Sequence, residues 1–274
     1  MKVINSIEEL KETLNNFSGK SIGFAPTMGA LHAGHVSLFT QAKKENDMVV
    51  ASIFINPTQF LPHEDLDKYP NTLQSDLEKC EKEGVDIVFA PHKNTIYGKD
   101  EVLIKAPNIR SYALEGERRP EHFDGVLQIV LKLFNIVKPT NAYFGKKDAQ
   151  QLSMISQMVK DLFLDINIKA CEIIREEDGL AMSSRNVYLS AEQRAESLNI
   201  SRSLFHAKEL IDAGELDIKN IKNSMNEILK NLDVEYLEFV NKEFEKIEKI
   251  EKNNTIILIV AKLGTTRLLD NLWM

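Results

Sequence analysis

Residues 26–35, with the sequence Pro-Thr-Met-Gly-Ala-Leu-His-Ala-Gly-His, decide how the first part of this chain folds. They follow a short apolar run, Ser21 to Ala25, and lead into residues 36–42, whose apolar side chains have helical spacing. The pattern predicts a strand, a glycine-containing turn and the start of a helix. Unpaired backbone N–H groups at such a turn can bind an anion, so residues 26–35 are a candidate phosphate-binding loop.

Two histidines at the predicted helix start indicate what this loop could do. His32 and His35 are three residues apart, so their imidazoles point from one helix face into the loop. His-x-Gly-His in this setting is the signature of enzymes that attack the α-phosphate of a nucleoside triphosphate, and Gly34 lets the phosphates approach the backbone. The structural alternative is that both rings only cap and cover the helix end. A metal site is disfavoured because no third ligand lies nearby at a recognisable spacing.

The first two-thirds of the chain alternates predicted strands and helices. The predicted strands are Ser21–Ala25, Met48–Ile55, Asp86–Ala90, Ala142–Gly145 and Asn167–Ile174. The predicted helices are Gly34–Glu45, Thr72–Glu83, Phe123–Val137 and Asp148–Phe163. This pattern predicts an α/β fold with a Rossmann-like, doubly wound parallel sheet, in which ligands bind beyond the carboxyl ends of the strands. Five polar or glycine residues end or follow predicted strands, so we expect them to converge on one crevice at this edge of the sheet. They are His32, Asn56, Gln59, Gly145 and Lys147.

After about residue 180 the pattern changes to helices followed by strands. Ser190 and Gln193 have capping-box spacing and open a helix to about Ala213, where Gly214 ends it. The next predicted elements are a helix at Ile218–Leu232 and strands at Glu235–Val240 and Thr255–Leu263. The sequence therefore predicts two domains, residues 1–178 and a second, smaller α+β C-terminal domain of residues 179–274.

Composition narrows the class of protein. A formal net charge of −7 argues against nucleic acid as the main partner. No apolar run approaches the roughly 18 residues of a membrane-spanning helix, and residues 1–6 turn polar too soon for a signal peptide. Cys80 and Cys171 have neither metal-site nor redox spacing, which favours free thiols in a reducing compartment. We therefore expect a cytoplasmic protein that binds neither nucleic acid nor membranes.

Four further segments, taken with residues 26–35, carry a family resemblance. They are Phe54–Phe60, His122–Val126, Phe144–Leu152 and Asp178–Asn186. In order and spacing the five motifs closely resemble those of the pantothenate synthetases, the ATP-dependent ligases that join pantoate to β-alanine. The chain departs from the family pattern at Lys146, where the family usually has Glu.

The resemblance implies a reaction and a set of site residues. The pantoate carboxylate would attack the α-phosphate of ATP to give pantoyl adenylate and pyrophosphate, and the amine of β-alanine would then displace AMP. Such a step needs positioning, aimed positive charge and N–H donors. His32 and His35 suit these needs, as does Lys147, and the resemblance assigns pantoate to Gln59 and Gln151 and β-alanine to Gln59. The implied ATP-binding residues are Met28, Gly29, Ala30, Leu31, His32, Ala33, Gly34, His35, Gly145, Lys146, Lys147, Asp148, Ile174, Met182, Ser183, Ser184 and Arg185.

Magnesium would accompany ATP, with Asp76 as a candidate ligand, although a carboxylate in a charged surface helix is usually only solvated. The resemblance also implies a homodimer. Two adjacent residues at a helix start cannot both face one pocket, so we assign Lys147 inward and direct the side chain of Lys146 to solvent. Asp148 has N-cap spacing to Gln151, so a structural role competes with a ligand role.

Three other interpretations stay open at this point. The loop at residues 61–70 is either a movable wall that shields the adenylate from water or a rigid surface loop. Arg118 and Arg119 either add positive field or are simply exposed. The chain could also be a nucleotidyltransferase of the same fold that keeps the nucleotidyl group on its product, or a non-catalytic nucleotide-binding module.

Overall fold

Six strands form one sheet within the residues that this computed structural model describes, which are 1–62, 64, 66–108 and 110–274. The strands are β1 (Lys2–Ile4), β2 (Ile22–Thr27), β3 (Met48–Ile53), β4 (Ile87–Phe89), β5 (Asn141–Gly145) and β6 (Asn167–Cys171). All pairings are parallel, in the order β1-β4-β3-β2-β5-β6. The chain builds outward from β2 in both directions, so the strand order reverses beside β2, where ligands bind in sheets of this kind.

Helices connect these strands. They are α1 (Ile7–Asn15), α2 (Ala33–Glu45), α3 (Leu73–Lys82), α4 (Lys93–Ile96), α5 (Glu115–Arg118), α6 (His122–Val137) and α7 (Ala149–Asp161). All six residues of β3 are buried, as expected for a parallel strand covered on both faces. One core cluster packs Phe39 of α2 against Val49 of β3 and Val88 of β4. The predicted α/β fold with a doubly wound parallel sheet is confirmed.

A smaller antiparallel sheet with two long helices follows. Its elements are α8 (Ala191–Asp212), α9 (Ile218–Leu229), β7 (Asp233–Val240), β8 (Ile256–Leu263) and β9 (Thr266–Trp273). The strands pair in the order β7-β8-β9. Leu204 of α8, Met225 of α9 and Ile259 of β8 belong to the core cluster of this part. The predicted small α+β portion is therefore confirmed.

Residue contacts divide the chain into two units. The first comprises Met1–Lys146 and Gln150–Glu172, and the second comprises Lys147–Ala149 and Ile173–Met274. Residues 147–149 thus group with the second unit, although the predicted domain of residues 1–178 includes them. The boundary after residue 178 itself stays a prediction.

Sequence patterns missed five elements, two of which, α4 and α5, are helices of only four residues. Strand β1 has only three residues, two of them exposed, and therefore carries little apolar signal. Helix α1 begins after Ser6, whose side chain accepts from the Glu9 N–H, a capping signal that could have been used. Strand β9 mixes charged, amide and apolar residues, so it shows no regular alternation. No helix in the described parts of the chain is long and apolar enough to cross a membrane.

Candidate active site

A buried carboxylate holds the loop that follows β2. Gly29 and Ala30 have positive φ angles of 87° and 49°, a region that costs most residues free energy. The Asp76 carboxylate accepts hydrogen bonds from the backbone N–H groups of Ala30 (2.9 Å) and Leu31 (2.8 Å). A Cβ atom at Gly29 would lie 3.1 Å from Asp76 Oδ2 and 3.2 Å from Ile53 Cγ2. The loop therefore owes its shape to Asp76 and to the glycine beside it.

These contacts correct the predicted role of Asp76. Its Oδ2 also accepts from Thr72 Oγ1 at 3.1 Å, Lys79 Nζ lies 3.8 Å from Oδ1, and the residue is fully buried. The carboxylate is thus neither solvated nor directed at a cation site, because it is hydrogen-bonded inside the protein to the backbone that it supports. In the described part of the chain, no group of three or more His, Cys, Asp or Glu side chains is arranged to hold a metal ion.

The two histidines of the loop form a reciprocal cap on α2. His32 is the N-cap, and its Nδ1 accepts from the Gly34 N–H at 3.1 Å. His35 Nδ1 accepts from the His32 N–H at 3.3 Å, and the ring centroids are 4.1 Å apart. A neutral imidazole that accepts at Nδ1 carries its hydrogen at Nε2. Both rings therefore cap the helix, as the structural alternative expects, and the cap also fixes the tautomer that presents an Nε2–H donor. Whether the rings do more than cap stays a prediction.

At the end of β3, a buried amide orients Gln59. Asn56 is 1% exposed, and its Oδ1 accepts from Tyr97 Oη at 2.6 Å and from Thr58 Oγ1 at 3.0 Å. Burial raises the pKa of the Tyr97 hydroxyl, which keeps it a donor. Asn56 Nδ2 then donates to Gln59 Oε1 at 3.0 Å, and Gln59 Nε2 lies 3.0 Å from Met28 Sδ. The Gln59 amide therefore presents its N–H groups toward the loop after β2, as the strand order predicts.

The backbone of Gln59 is held by a second group of side chains. His122 Nδ1 donates to the Gln59 carbonyl at 2.6 Å, and Arg119 Nη2 lies 3.3 Å from the same oxygen. Because Nδ1 donates, His122 Nε2 accepts from Arg119 Nη1 at 3.0 Å. Burial, and then the Arg119 charge, lower the pKa of His122 to about 4. This neutral imidazole links the guanidinium to the loop that carries Gln59.

Arg119 is a paired cation. Its Nε and Nη2 bond the two oxygens of Glu64 at 2.5 Å and 2.6 Å. Although burial raises the pKa of Glu64, the hydrogen bond and charge of Arg119 lower it overall. Arg118 is exposed, which is one of its two predicted alternatives. Arg119 fits neither alternative, because it is not exposed and Glu64 balances its charge. In the loop at residues 61–70, His63 and Asp65 lie outside the described residues.

A glycine in α6 allows this arrangement. A Cβ atom at Gly125 would lie 2.2 Å from the Thr58 carbonyl oxygen and 2.7 Å from the Gln59 nitrogen. The Gly125 carbonyl also accepts from Asn56 Nδ2 at 3.1 Å. The motif at residues 122–126 thus supports the backbone of Gln59, because His122 donates to its carbonyl and Gly125 leaves room for it.

The low pKa of His122 predicts acid sensitivity with a defined sign. An unfolded histidine gains its proton near pH 6.5 and folded His122 only near pH 4, so stability is lost as the pH falls through this window. At pH 4.5 the loss should be about 2 kcal/mol relative to pH 7. Denaturant unfolding at both pH values should show a smaller acid loss for His122→Gln than for the wild type. Exposed His92 provides the control, since His92→Gln should leave the acid loss unchanged. Equal losses in all three proteins would contradict the assignment.

In the second unit, strand β9 contacts the segment that carries Lys147. Asn271 Nδ2 donates to the Lys147 carbonyl at 2.6 Å, and Lys147 Nζ lies 3.6 Å from Asp148 Oδ1. The neighbouring residue Asp270 forms a bidentate pair with Arg175, at 2.6 Å and 3.0 Å. Lys147 thus follows β5 in sequence but is fixed by the C-terminal strand.

The other predicted ATP-binding residues of the second unit lie in one hairpin-like segment. The Met182 N–H donates to the Ile174 carbonyl at 3.0 Å. Ser183 caps a short 3₁₀ helix at Ser184–Tyr188, because its Oγ accepts from the Arg185 N–H at 3.3 Å. The segment therefore keeps Ile174 and Met182–Arg185 close together.

The prediction that the Lys146 side chain points to solvent is wrong. Its ammonium pairs with the Glu172 carboxylate just after β6, and the side chain is 22% exposed, the same fraction as that of Lys147. Both lysines lie in a 3₁₀ helix, Lys146–Asp148, rather than in the first turn of α7. Their ammonium groups pair with different carboxylates, that of Glu172 for Lys146 and that of Asp148 for Lys147. Gln151 is half-buried near the start of α7, and nothing in the structure tests its predicted substrate contact.

Comparisons with known proteins agree along the whole chain. The family model described as pantoate-beta-alanine ligase matches residues 2–273. The pantothenate synthetase of Aliarcobacter butzleri is 58% identical over 274 residues, which is 100% of both chains. That of Sulfurimonas denitrificans is 54% identical with the same coverage.

Solved structures agree as well. A pantothenate synthetase from Thermus thermophilus superimposes with a TM-score of 0.95 at 36% identity, covering 100% of this chain and 99% of that one. The pantoate-beta-alanine ligase from Francisella tularensis, complexed with beta-gamma ATP and beta-alanine, gives 0.82 at 35% identity, with 100% and 97% coverage.

Proposed function

Since this chain belongs to the pantoate–β-alanine ligase family, we propose that it joins its substrates through a pantoyl adenylate. The chain is a ligase, and its family identity supports the use of ATP to join pantoate to β-alanine. A carboxylate is unreactive toward an amine at neutral pH because its oxygen is a poor leaving group. Transfer of the adenylyl group to pantoate replaces that leaving group with AMP.

The observation that carries this proposal is the pair of histidines on the Asp76-supported loop. Each accepts a backbone N–H at Nδ1, which assigns an Nε2–H donor to each ring. Donors fixed in this way suit an α-phosphate on which charge builds up as pyrophosphate leaves. We assign that role mainly to His35, supported by His32 and by the ammonium of Lys147.

The oriented amide of Gln59 suits the acyl substrates. With Oε1 turned to Asn56, its N–H groups would donate to the pantoate carboxylate, and afterwards to β-alanine, one of them in place of the weak bond to Met28 Sδ. Amide donors orient a carboxylate while withdrawing less of its charge than an arginine would, so the oxygen stays nucleophilic. Gln151 would provide a second amide for pantoate. The Francisella tularensis ligase complexed with beta-gamma ATP and beta-alanine supports binding of both ligands in this fold.

Both proposed steps are substitutions in which one bond forms and one breaks. A pantoate oxygen forms a bond to the α-phosphorus, the bond to the bridging oxygen breaks, and pyrophosphate leaves with that electron pair. The amine of β-alanine then bonds to the acyl carbon, loses a proton, and AMP leaves. The predicted magnesium ligand does not fit, because Asp76 is hydrogen-bonded to the loop backbone. Magnesium therefore enters the proposal only as the counter-ion that ATP carries.

Isotope exchange between ATP and pyrophosphate tests the intermediate. With pantoate present and β-alanine absent, we expect exchange that stops when pantoate is removed. No exchange with pantoate, together with exchange in the presence of a different acceptor, would instead support a nucleotidyltransferase of the same fold. Absence of exchange with every acceptor would leave a nucleotide-binding module, which the two intact histidines disfavour.

We also expect a homodimer in the cytoplasm, as the family resemblance implies. Sedimentation at micromolar concentration should then show a species of twice the 31.2 kDa chain. A sedimentation profile with only the 31.2 kDa species would contradict the dimer.

A further inference from the structure

Two adjacent residues of β9 attach to two separate segments of the second unit. Asn271 donates to the Lys147 carbonyl at 2.6 Å. Asp270 pairs with Arg175 at 2.6 Å and 3.0 Å. Successive residues of a strand point to opposite faces of the sheet, so one short piece of β9 can hold a segment on each side.

Both residues are buried, with Asp270 3% exposed and Asn271 1% exposed. A buried polar group that loses its partner retains the cost of its desolvation, so these contacts strongly favour one arrangement. The backbone N–H of Asn271 also donates to Asp270 Oδ1 at 2.8 Å, which joins the Asp270 side chain to the backbone of its neighbour.

Arg175 extends the connection into the hairpin-like segment. It donates to the Gly179 carbonyl at 3.1 Å, and its backbone pairs with that of Ala181. It also lies over the ring of Phe205 in α8, 5.0 Å from the centroid. Ile174, directly before Arg175, and Met182, directly after Ala181, are predicted ATP-binding residues. Arg175 therefore fixes the base of the segment that also carries Ser183–Arg185.

We propose that Asp270 and Asn271 are positioning residues that set the Lys147 segment and the 174–185 segment at a fixed separation for ATP. The proposal rests on the proposed role of Lys147 toward the phosphates. Lysine is a flexible side chain on a four-carbon stem, so its charge is aimed only if the backbone beneath it is fixed. The 3₁₀ helix Lys146–Asp148 has three residues, and Asn271 supplies an anchor from outside it.

The test is Asn271→Asp, which keeps the shape of the side chain but turns an acceptor toward the Lys147 carbonyl. In pantoate-dependent pyrophosphate exchange, kcat/KM for ATP should fall about 30-fold, mainly through KM, because a displaced charge binds ATP less well. The reaction of preformed pantoyl adenylate with β-alanine should change less than twofold. Asn223→Asp, an exposed site in α9, is the matched control for the added charge and should change neither rate.

A double-mutant cycle separates positioning from general damage. In a Lys147→Ala background, the loss caused by Asn271→Asp should shrink to less than threefold, because the group that it positions is gone. A loss of equal size in both backgrounds, or in both half-reactions, would overturn the proposal, as would normal kcat/KM in Asn271→Asp. If Asn271→Asp does not fold, Asn271→Ala enters the same cycle under the same criteria.

These measurements also separate the positioning role of Asn271 from the phosphate role of Lys147 and from the proposed function of the chain. Unchanged exchange in Lys147→Ala alone would remove the proposed phosphate role of Lys147. Pantoate-independent exchange in the wild type would contradict the proposed function itself. A loss in Lys147→Ala without any coupling to Asn271 would leave the proposed function intact and contradict only the positioning role.

Discussion

Replacing His35 by alanine should slow pantoate-dependent pyrophosphate exchange by about a hundred- to a thousandfold while ATP still binds. Loss of one donor aimed at developing charge costs about 2.7–4 kcal/mol in comparable sites. The donor acts mainly in the transition state, so kcat should fall and the dissociation constant for ATP should change little. Exchange kinetics and calorimetric titration with ATP measure the two quantities separately.

The structure calls for a second variant, because His35 also caps α2. His35→Ala removes the acceptor for the His32 N–H, which should cost about 0.5–2 kcal/mol of folding stability. In His35→Gln, the side chain can still reach back to the N-cap N–H, since Gln is a normal capping-box residue at N3. Stability should therefore recover in His35→Gln while the exchange rate stays low. Recovery of both would mean that His35 only caps the helix.

The sequence predicted the loop after β2 because the signals for it are local. Residues 26–35 specify a strand, a turn and a helix start through neighbours in the chain, and the parallel sheet follows from the alternation of elements. Met28 and Gln59 lie close together because the neighbouring parallel strands β2 and β3 end at the same edge of the sheet, although the sequence patterns named no contact between them. Local spacing also predicted the capped helix, without showing that the cap uses Nδ1 of each ring and leaves Nε2 for the proposed catalytic role.

Roles that depend on distant partners were not predictable in this way. Asp76 looks like one more charged residue of a surface helix, and its bonds to Ala30 and Leu31 span more than forty residues of sequence. Asn271 belongs to a strand with no regular pattern, so nothing local connects it with Lys147. Lys146 finds Glu172 only because β5 and β6 are neighbours. For Asp76 and Lys146, burial or pairing overturned the expectation of a solvent-exposed side chain, and for Asn271 the sequence offered no expectation.

Gly125 stands between these two groups of residues. Its contact is distant in the chain, but the sequence carries a local sign that the position is special. An isolated glycine in the apolar helix α6 costs roughly 0.5–1 kcal/mol relative to alanine, so its presence calls for a packing reason. That reason is the close approach of the Thr58 carbonyl, which only the folded structure reveals. The sequence could flag the position but could not name the contact.

Gly125→Ala should therefore be damaging even though alanine is the better helix former. The new Cβ atom would lie 2.2 Å from the Thr58 oxygen and 2.4 Å from its carbonyl carbon. Both are backbone atoms, so no side chain can rotate away, and the 3₁₀ helix Pro57–Gln59 must move away from α6. Overpacking of this kind costs about 1–3 kcal/mol of stability, against the smaller gain from helix propensity.

The larger effect of Gly125→Ala should be on activity, because Gln59 moves with the 3₁₀ helix. A displacement of about 1 Å at a substrate-positioning group can cost about a hundredfold in rate, so kcat/KM for pantoate should fall by that order. Gly98→Ala is the matched control, since a Cβ atom there would meet only Glu101, with Oε1 at an ordinary 3.7 Å. Both proteins should be assayed at a temperature where circular dichroism shows them folded. Equal kcat/KM for pantoate in Gly125→Ala and Gly98→Ala would contradict this expectation. The position of Gln59 would then not depend on the space that Gly125 leaves, and the assignment of Gln59 as a pantoate ligand would lose its structural basis.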